Sequence, residues 1–231
     1  MLSKPKEAEK AVFWSQSGED RYMYEHYFKG VQGGVYAEAG ALDGQLFSNT
    51  LFFAQQLGWS GVLFEPIPPS FAKLLVNRPE SICLNMALCG DEDANNLDVE
   101  FTYTNEKWKL PVAGRLEDMS ANFTNLYHGV KTDVQVKVTC LTLGRALKMV
   151  GVHKIDVFFL DVEGSELRAL HGMDWRVPVR FWVVEAQGSD PRRQDVRALL
   201  TARGHRFVAK VGENRNELWE LTTWPDPYLA P

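Results

Sequence analysis

Val35-Tyr36-Ala37-Glu38-Ala39-Gly40-Ala41-Leu42-Asp43-Gly44 is the stretch on which the reading of the whole chain turns. It begins as an apolar strand and ends in two glycines four positions apart. Glycine tolerates positive φ and lets backbone approach a ligand with no Cβ in the way. The stretch therefore reads as a strand whose carboxyl end turns sharply over a ligand. A lone Gly-x-x-x-Gly is equally an ordinary strand-to-helix turn, so the neighbouring segments have to decide.

Downstream, Ser48-Asn49-Thr50 precede an amphipathic helical stretch, Leu51 to Leu57, closed by Gly58. A second buried strand, Trp59 to Pro66, carries a carboxylate at its end, Glu65. A helix around Ser70 to Val76 leads through Asn77-Arg78-Pro79 into a third strand, Ile82 to Leu88. This β-α-β-α-β rhythm predicts parallel strands with helices on both faces. It breaks over 91–133, where Leu97 to Thr102 alternates as a strand and 107–127 has no clean period. A long irregular excursion is a candidate binding loop, and Trp108, Arg115, Asn122 and His128 would shape an acceptor pocket from it or simply sit on the surface. Val134 to Thr139 alternates again. The rhythm then resumes with a helix at Leu141–Val150, an apolar strand Ile155–Asp161, a helix Ser165–Leu170, a strand Phe181–Glu185 and a helix Asp190–Ala202. His205–Val211 and Glu217–Leu221 read as a closing antiparallel pair. Upstream, Ser17 is expected to cap a helix of two to three turns whose Tyr22, Tyr24, Tyr27 and Phe28 are core residues. The expectation is one α/β domain over 1–231 with an insertion at about 91–140.

Composition narrows the class. The chain has 231 residues, 45% hydrophobic and 24% charged, with a net charge of −5. No long basic run occurs, which disfavours a nucleic-acid partner. No apolar run approaches the roughly 20 residues that span a bilayer, and a cytoplasmic protein is expected. Three cysteines, Cys83, Cys89 and Cys140, lie at no metal-ligand spacing, and an odd count predicts reduced, buried thiols.

Four expected strands end in glycines or carboxylates: Glu38 with Gly40 and Gly44, then Glu65, Asp161 and Glu185. Ligands of open α/β sheets sit outside the carboxyl ends of the strands, so these groups face one crevice. Glu65 follows Gly44 by 21 residues, a spacing suited to an acidic residue that reads ribose hydroxyls. A dinucleotide would need a phosphate-binding helix start, and Asp43 inside the turn repels a pyrophosphate. An acidic turn suits S-adenosylmethionine, which carries a sulfonium and no phosphate.

Ser15-Gln16-x-Gly18-Glu19-Asp20, Glu38-x-Gly40-Ala41-x-Asp43-Gly44, Ser48-Asn49-Thr50, Gly58-Trp59-x-Gly61, Glu65-Pro66 and Asp161-Val162-Glu163-Gly164-x-Glu166 together resemble the FkbM-type family of S-adenosylmethionine-dependent methyltransferases. The likeness runs from about Ser15 to Glu185, and Asp-x-Glu-Gly is its most specific element. It implies a Rossmann-like class I methyltransferase fold: a three-layer sandwich around a mostly parallel seven-stranded sheet with an antiparallel C-terminal strand. It implies that Glu38, Gly40 and Gly44 line the methionine and ribose part of the donor, with Glu65 on the ribose hydroxyls and Met86 and Ala87 near the adenine. Ala41, Asp43, Asn49, Pro66 and Asp161 complete the expected donor-binding set. Gln16 and Asp20 reach its edge from the first helix, or only cap that helix.

For an alcohol acceptor the chain must orient the oxygen, exclude water and take a proton. Asp161 or Glu163 is the expected base, with Glu185 as a second acidic wall. The expected acceptor is a hydroxyl of a sugar, natural product or other small molecule. In a variant of this reading, Asp161 and Glu185 hold a divalent cation, with Mg²⁺, Ca²⁺ or Mn²⁺ favoured by oxygen ligands; no metal ligand is assigned. The rivals are a nucleotide-dependent dehydrogenase and a non-catalytic binding module on the same fold.

Overall fold

The computed structural model describes residues 11–91, 98–104, 112–114, 134–186, 192–213 and 215–224. Trp108, Arg115, Asn122 and His128 lie outside them. In chain order the strands are β1 (Val35–Ala39), β2 (Ser60–Phe64), β3 (Ile82–Leu84), β4 (Ala87–Cys89), β5 (Asp98–Thr104), β6 (Val112–Gly114), β7 (Val134–Thr142), β8 (Ile155–Leu160), β9 (Val179–Glu185), β10 (His205–Val211) and β11 (Asn216–Leu221). The α-helices are α1 (Glu19–Met23), α2 (Leu51–Leu57), α3 (Pro68–Asn77), α4 (Leu143–Met149), α5 (Glu166–His171) and α6 (Arg192–Ala202).

Seven strands form one sheet in the order β10-β11-β9-β8-β1-β2-β3. β1 runs parallel to both β2 and β8, and β8 to β9, while β11 is antiparallel to its neighbours β9 and β10. This is the class I methyltransferase sheet that the resemblance implied, and its strand order reverses at β1. Alternation places the core on both faces. Ala37, Ala39, Val62, Phe64, Phe158, Leu160, Trp182 and Val184 pack with Leu143 and Leu147 of α4, Leu170 of α5 and Leu200 of α6. Tyr36, Leu63, Val157, Phe159, Phe181 and Val183 face the other way, onto Met23, Phe28, Phe52, Phe53 and Leu74. Strands apolar on both faces are what a helix-covered parallel sheet requires. Each large side chain so buried contributes about 1.5–3 kcal/mol.

Four expectations need correction. The single third strand over Ile82–Leu88 is two short ones in different sheets. At Asn85 the chain leaves the main sheet, because its side-chain amide donates to Glu65 O and Pro66 O at 2.8 and 3.0 Å and ties the crossing to the β2 exit. Beyond it, β4 joins a second sheet, β4-β7-β5-β6. Within that sheet, Val112–Gly114 pairs with β5 where no strand was expected. The first helix is α1 followed by a π-helical turn, Tyr24–Phe28, and its N-cap is Gly18 at φ 85°, not Ser17. Finally, Cys89 and Cys140 form a disulfide with Cα atoms 5.8 Å apart, and only Cys83 is a free thiol. β4 and β7 pair in parallel with Ala87 opposite Cys140, a proximity that a separation of 51 residues cannot reveal.

Candidate functional site

The parallel register brings the carboxyl ends of β1, β2, β8 and β9 to one edge. Two hydrogen bonds lock those ends together: Gly40 N to Phe64 O at 3.1 Å and Asp161 N to Ala39 O at 3.2 Å. Both glycines of the opening stretch have reasons within the chain. Gly40 has φ 85°, and a Cβ there would stand 2.0 Å from the Asp161 carbonyl oxygen. Gly44 has φ 78°, and a Cβ there would meet the Arg78 and Leu74 side chains at 2.5 and 2.6 Å.

Residues 41–50 form the wall over β1 and β2, held at nearly every turn. Glu65, buried after β2, accepts Leu42 N and Ile67 N, each at 2.9 Å. Burial pushes its carboxyl up to about 8. Glu38 lies on the α2 side of β1 and accepts the Thr50 hydroxyl (2.6 Å), Asn49 N (2.8 Å) and the Ser48 hydroxyl (3.0 Å), which anchors the start of α2. Burial raises its pKa, and these donors and the Arg78 charge oppose the rise. Asp43 Oδ1 accepts Gln45 N and Leu46 N at 3.0 and 2.8 Å, closing the turn locally. Each carboxylate oxygen has a second lone pair, so these bonds leave Glu65 able to accept from a ribose as well. Ala41 packs in the core beside α2, Met86 in the core beneath α4, and Ala87 in the second sheet's core. Pro66 offers its carbonyl to Asn85.

The N-terminal turn closes one side, since Ser15 makes a β-bridge with Phe47. Asp20 is fully buried, and its carboxylate accepts Trp14 N (2.7 Å), the Ser15 hydroxyl (2.6 Å) and Arg21 N (2.7 Å). It organises the turn. Gln16 is exposed beside it.

Across from this wall, Asp161, Glu163, Glu166 and Glu185 gather at the ends of β8 and β9. One carboxylate oxygen from each of Asp161, Glu166 and Glu185 lies within 4.8 Å of the others. Burial lifts the Asp161 carboxyl to about 6, with a hydrogen bond from Glu185 and the Arg215 charge opposing and the Glu19 and Glu38 charges reinforcing. Glu185 is held well above the usual carboxylate range, chiefly by burial and then by Asp161, Glu163 and Glu166. The hydrogen bond between the two carboxyls lowers Asp161 and raises Glu185, the direction of a proton held on the Glu185 side. Glu163 is also held well above that range by burial and by Asp161. Glu166, lifted by burial to about 7, accepts Val162 N and Gly164 N at 3.1 Å and closes the turn after β8. Three non-glycine residues adopt positive φ in these two walls: Leu42 (49°), Phe47 (59°) and Glu163 (54°). Such backbone costs roughly 1–2 kcal/mol per residue.

Sequence reasoning gave no role to Glu19, Arg215 and Asn216. Glu19 is buried and accepts Ser17 N at 3.0 Å and the Asn216 amide at 2.8 Å, which joins the N-terminal turn to the start of β11. Asn216 stands opposite Glu185 in the sheet. The Gln16-x-Gly18-Glu19-Asp20 motif pointed to Glu19; nothing local pointed to Arg215 or Asn216.

Two buried oxygens here have no hydrogen-bond partner, Asp161 Oδ1 and Asn49 Oδ1. Orphaned acceptors with a surplus of carboxylates suit a ligand that brings donors and positive charge. S-adenosylmethionine, with its amino group, ribose hydroxyls and sulfonium, fits that demand. Among the described residues, Asp161, Glu166 and Glu185 are the group that could hold a metal ion.

Residues 38–207 match the methyltransferase FkbM domain. No curated protein matches the chain. Among solved structures, it is similar to a SAM-dependent methyltransferase from Aquifex aeolicus (10% identity, 87% of this chain and 88% of that one, TM-score 0.44). It is likewise similar to a TehB-like SAM-dependent methyltransferase from Corynebacterium glutamicum (11%, 90% and 89%, 0.44). A third is the Burkholderia thailandensis 1,6-didemethyltoxoflavin-N1-methyltransferase with bound 1,6-didemethyltoxoflavin and S-adenosylhomocysteine (11%, 87% and 74%, 0.39).

Proposed function

From its membership of the FkbM methyltransferase domain family, which the match over 38–207 establishes, we propose that the chain transfers the methyl group of S-adenosylmethionine to a hydroxyl of a small molecule, with Asp161 as general base. The observation that carries the reading is the hydrogen-bonded pair of carboxyls at the β8 and β9 ends, in which Asp161 keeps one buried oxygen without a partner. Environments that push paired titratable groups apart assign acid and base roles. Asp161, lifted only to about 6, is ionised at neutral pH, and its Oδ1 is buried without a partner. Glu185 and Glu163 are both held well above the usual range, by burial first and then by the carboxylates around them.

The donor supplies an electrophilic methyl on a good leaving group. This chain's residues do the rest. Leu42 to Thr50, held by Glu38 and Glu65, shape the donor wall. Glu185 orients the Asp161 carboxylate through their shared proton. Asp161 takes the acceptor's hydroxyl proton as the oxygen–carbon bond forms and the carbon–sulfur bond breaks. Asp161→Asn tests the assignment: turnover at saturating donor falls.

A divalent cation is the second reading, supported by the clustering of Asp161, Glu166 and Glu185 within 4.8 Å. Against it, Glu166 Oε1 is already engaged by two backbone amides, and Asp161 and Glu185 share a proton. Full activity after EDTA treatment supports the metal-free reading. Loss restored by Mg²⁺ supports the cation.

A further inference from the structure

The donor wall is gripped from below by the end of a helix to which no role has been given. At the C-terminal end of α3 stands Arg78, which has no exposed surface. Every nitrogen of its guanidinium donates. Nη1 reaches Gly44 O at 3.3 Å and the Ser48 and Thr50 hydroxyls at 3.2 Å; Nη2 reaches the Tyr36 hydroxyl at 3.0 Å; Nε reaches Glu80 at 2.7 Å. One residue earlier, the Asn77 amide donates to Asp43 O at 2.8 Å. Two adjacent side chains therefore hold two adjacent carbonyls of the glycine turn. The two hydroxyls that Arg78 meets are the same ones that bond Glu38.

A buried cation is costly unless its donors are matched. Glu80 supplies a carboxylate to Nε, and the remaining donors need acceptors of their own. One arm of the fork, Nη1, is spent wholly on the segment that turns over the crevice, and Gly44 lacks a side chain where Arg78 passes.

The geometry points to Asn77 and Arg78 as positioning residues for the methyl donor: they hold residues 43–50 in the conformation that binds it. They touch no ligand. Without them the wall must be ordered at the moment of binding, and that ordering is subtracted from affinity. This inference rests on the donor-binding reading of the β1–β2 crevice.

The test is calorimetric titration of S-adenosylmethionine into the wild type, Asn77→Ala and Arg78→Lys, well below each melting midpoint, with hydrogen exchange of the 42–50 amides alongside. Lysine keeps the charge but loses the planar fork. Arg78→Lys is expected to weaken binding at least about tenfold and Asn77→Ala about three- to tenfold, with faster exchange in 42–50. If Arg78→Lys does not fold, Asn77→Ala decides alone. Wild-type affinity in the variants, even with a lowered melting temperature, makes the pair purely structural and overturns the proposal. No binding by the wild type itself overturns the donor reading, and the proposal with it.

Discussion

Asp161 sits where two demands meet: its carboxyl must be ionised to act as a base, yet burial disfavours the charge. Its pKa of about 6 sets the sign of the pH dependence. Below that value Asp161 is protonated and inactive as a base, so kcat is expected to rise with pH along an acid limb centred near 6. Asp161→Asn is expected to lower kcat, measured at saturating S-adenosylmethionine, by about 10²–10⁴. Unchanged turnover would remove Asp161 from the role of base. Gly40 marks the opposite limit, a position with no freedom at all. Gly40→Ala places a Cβ 2.0 Å from the Asp161 carbonyl at φ 85°. It is expected to destabilise by at least about 2 kcal/mol in denaturant unfolding; a wild-type midpoint would contradict the packing described.

Elements were legible in proportion to their periodicity. β1, β2, β8 and β9 are apolar strands with glycines or carboxylates at their ends, and Glu38, Glu65, Asp161 and Glu185 could be placed on one edge from the β-α-β rhythm alone. What the side chains do there was less visible. Glu38, expected to line the donor, anchors α2 through Ser48, Asn49 and Thr50. Asp43 closes its own turn. Gly40 and Gly44 make room for protein atoms. Such partners are set by packing across elements, which local pattern does not encode. The break at Asn85 is invisible in the sequence for the same reason, as is the meeting of Glu19 with Asn216, 197 positions apart. Pairing of β4 with β7 leads to a prediction at this scale. Without reductant one thiol, Cys83, is expected to react with a thiol reagent after unfolding, and three after reduction. Reduction is expected to cost about 2–4 kcal/mol of stability, read as a lower melting temperature. Three reactive thiols before reduction would contradict the disulfide.

At the scale of the whole molecule, the site is an acidic excess in an already acidic chain of net charge −5. Glu65 is lifted to about 8 and Glu166 to about 7, with Glu163 and Glu185 held well above their usual range. A carboxyl whose folded pKa lies above its unfolded one binds more protons when folded, so stability falls as pH rises through that interval. His205 works the other way, its pKa lowered by burial, but only below its ordinary 6.5. Between pH 6.5 and 8, among the described residues, the acids set the slope. The ligand-free chain is expected to lose at least about 3 °C in melting temperature over that window. A saturating sulfonium ligand should reduce the loss. A melting temperature that rises across the window would show that these carboxylates are ionised without penalty. Among the described residues, no helix is long and apolar enough to cross a membrane.

The central claim is that the crevice at the β1 and β2 ends holds a methyl donor and not a dinucleotide. Titration calorimetry of the wild-type chain at neutral pH with S-adenosylmethionine, and separately with NAD, tests it directly. One-to-one binding of S-adenosylmethionine with a Kd between about 1 μM and 1 mM, and no heat with NAD, is the result predicted. Heat with NAD and none with S-adenosylmethionine would contradict it.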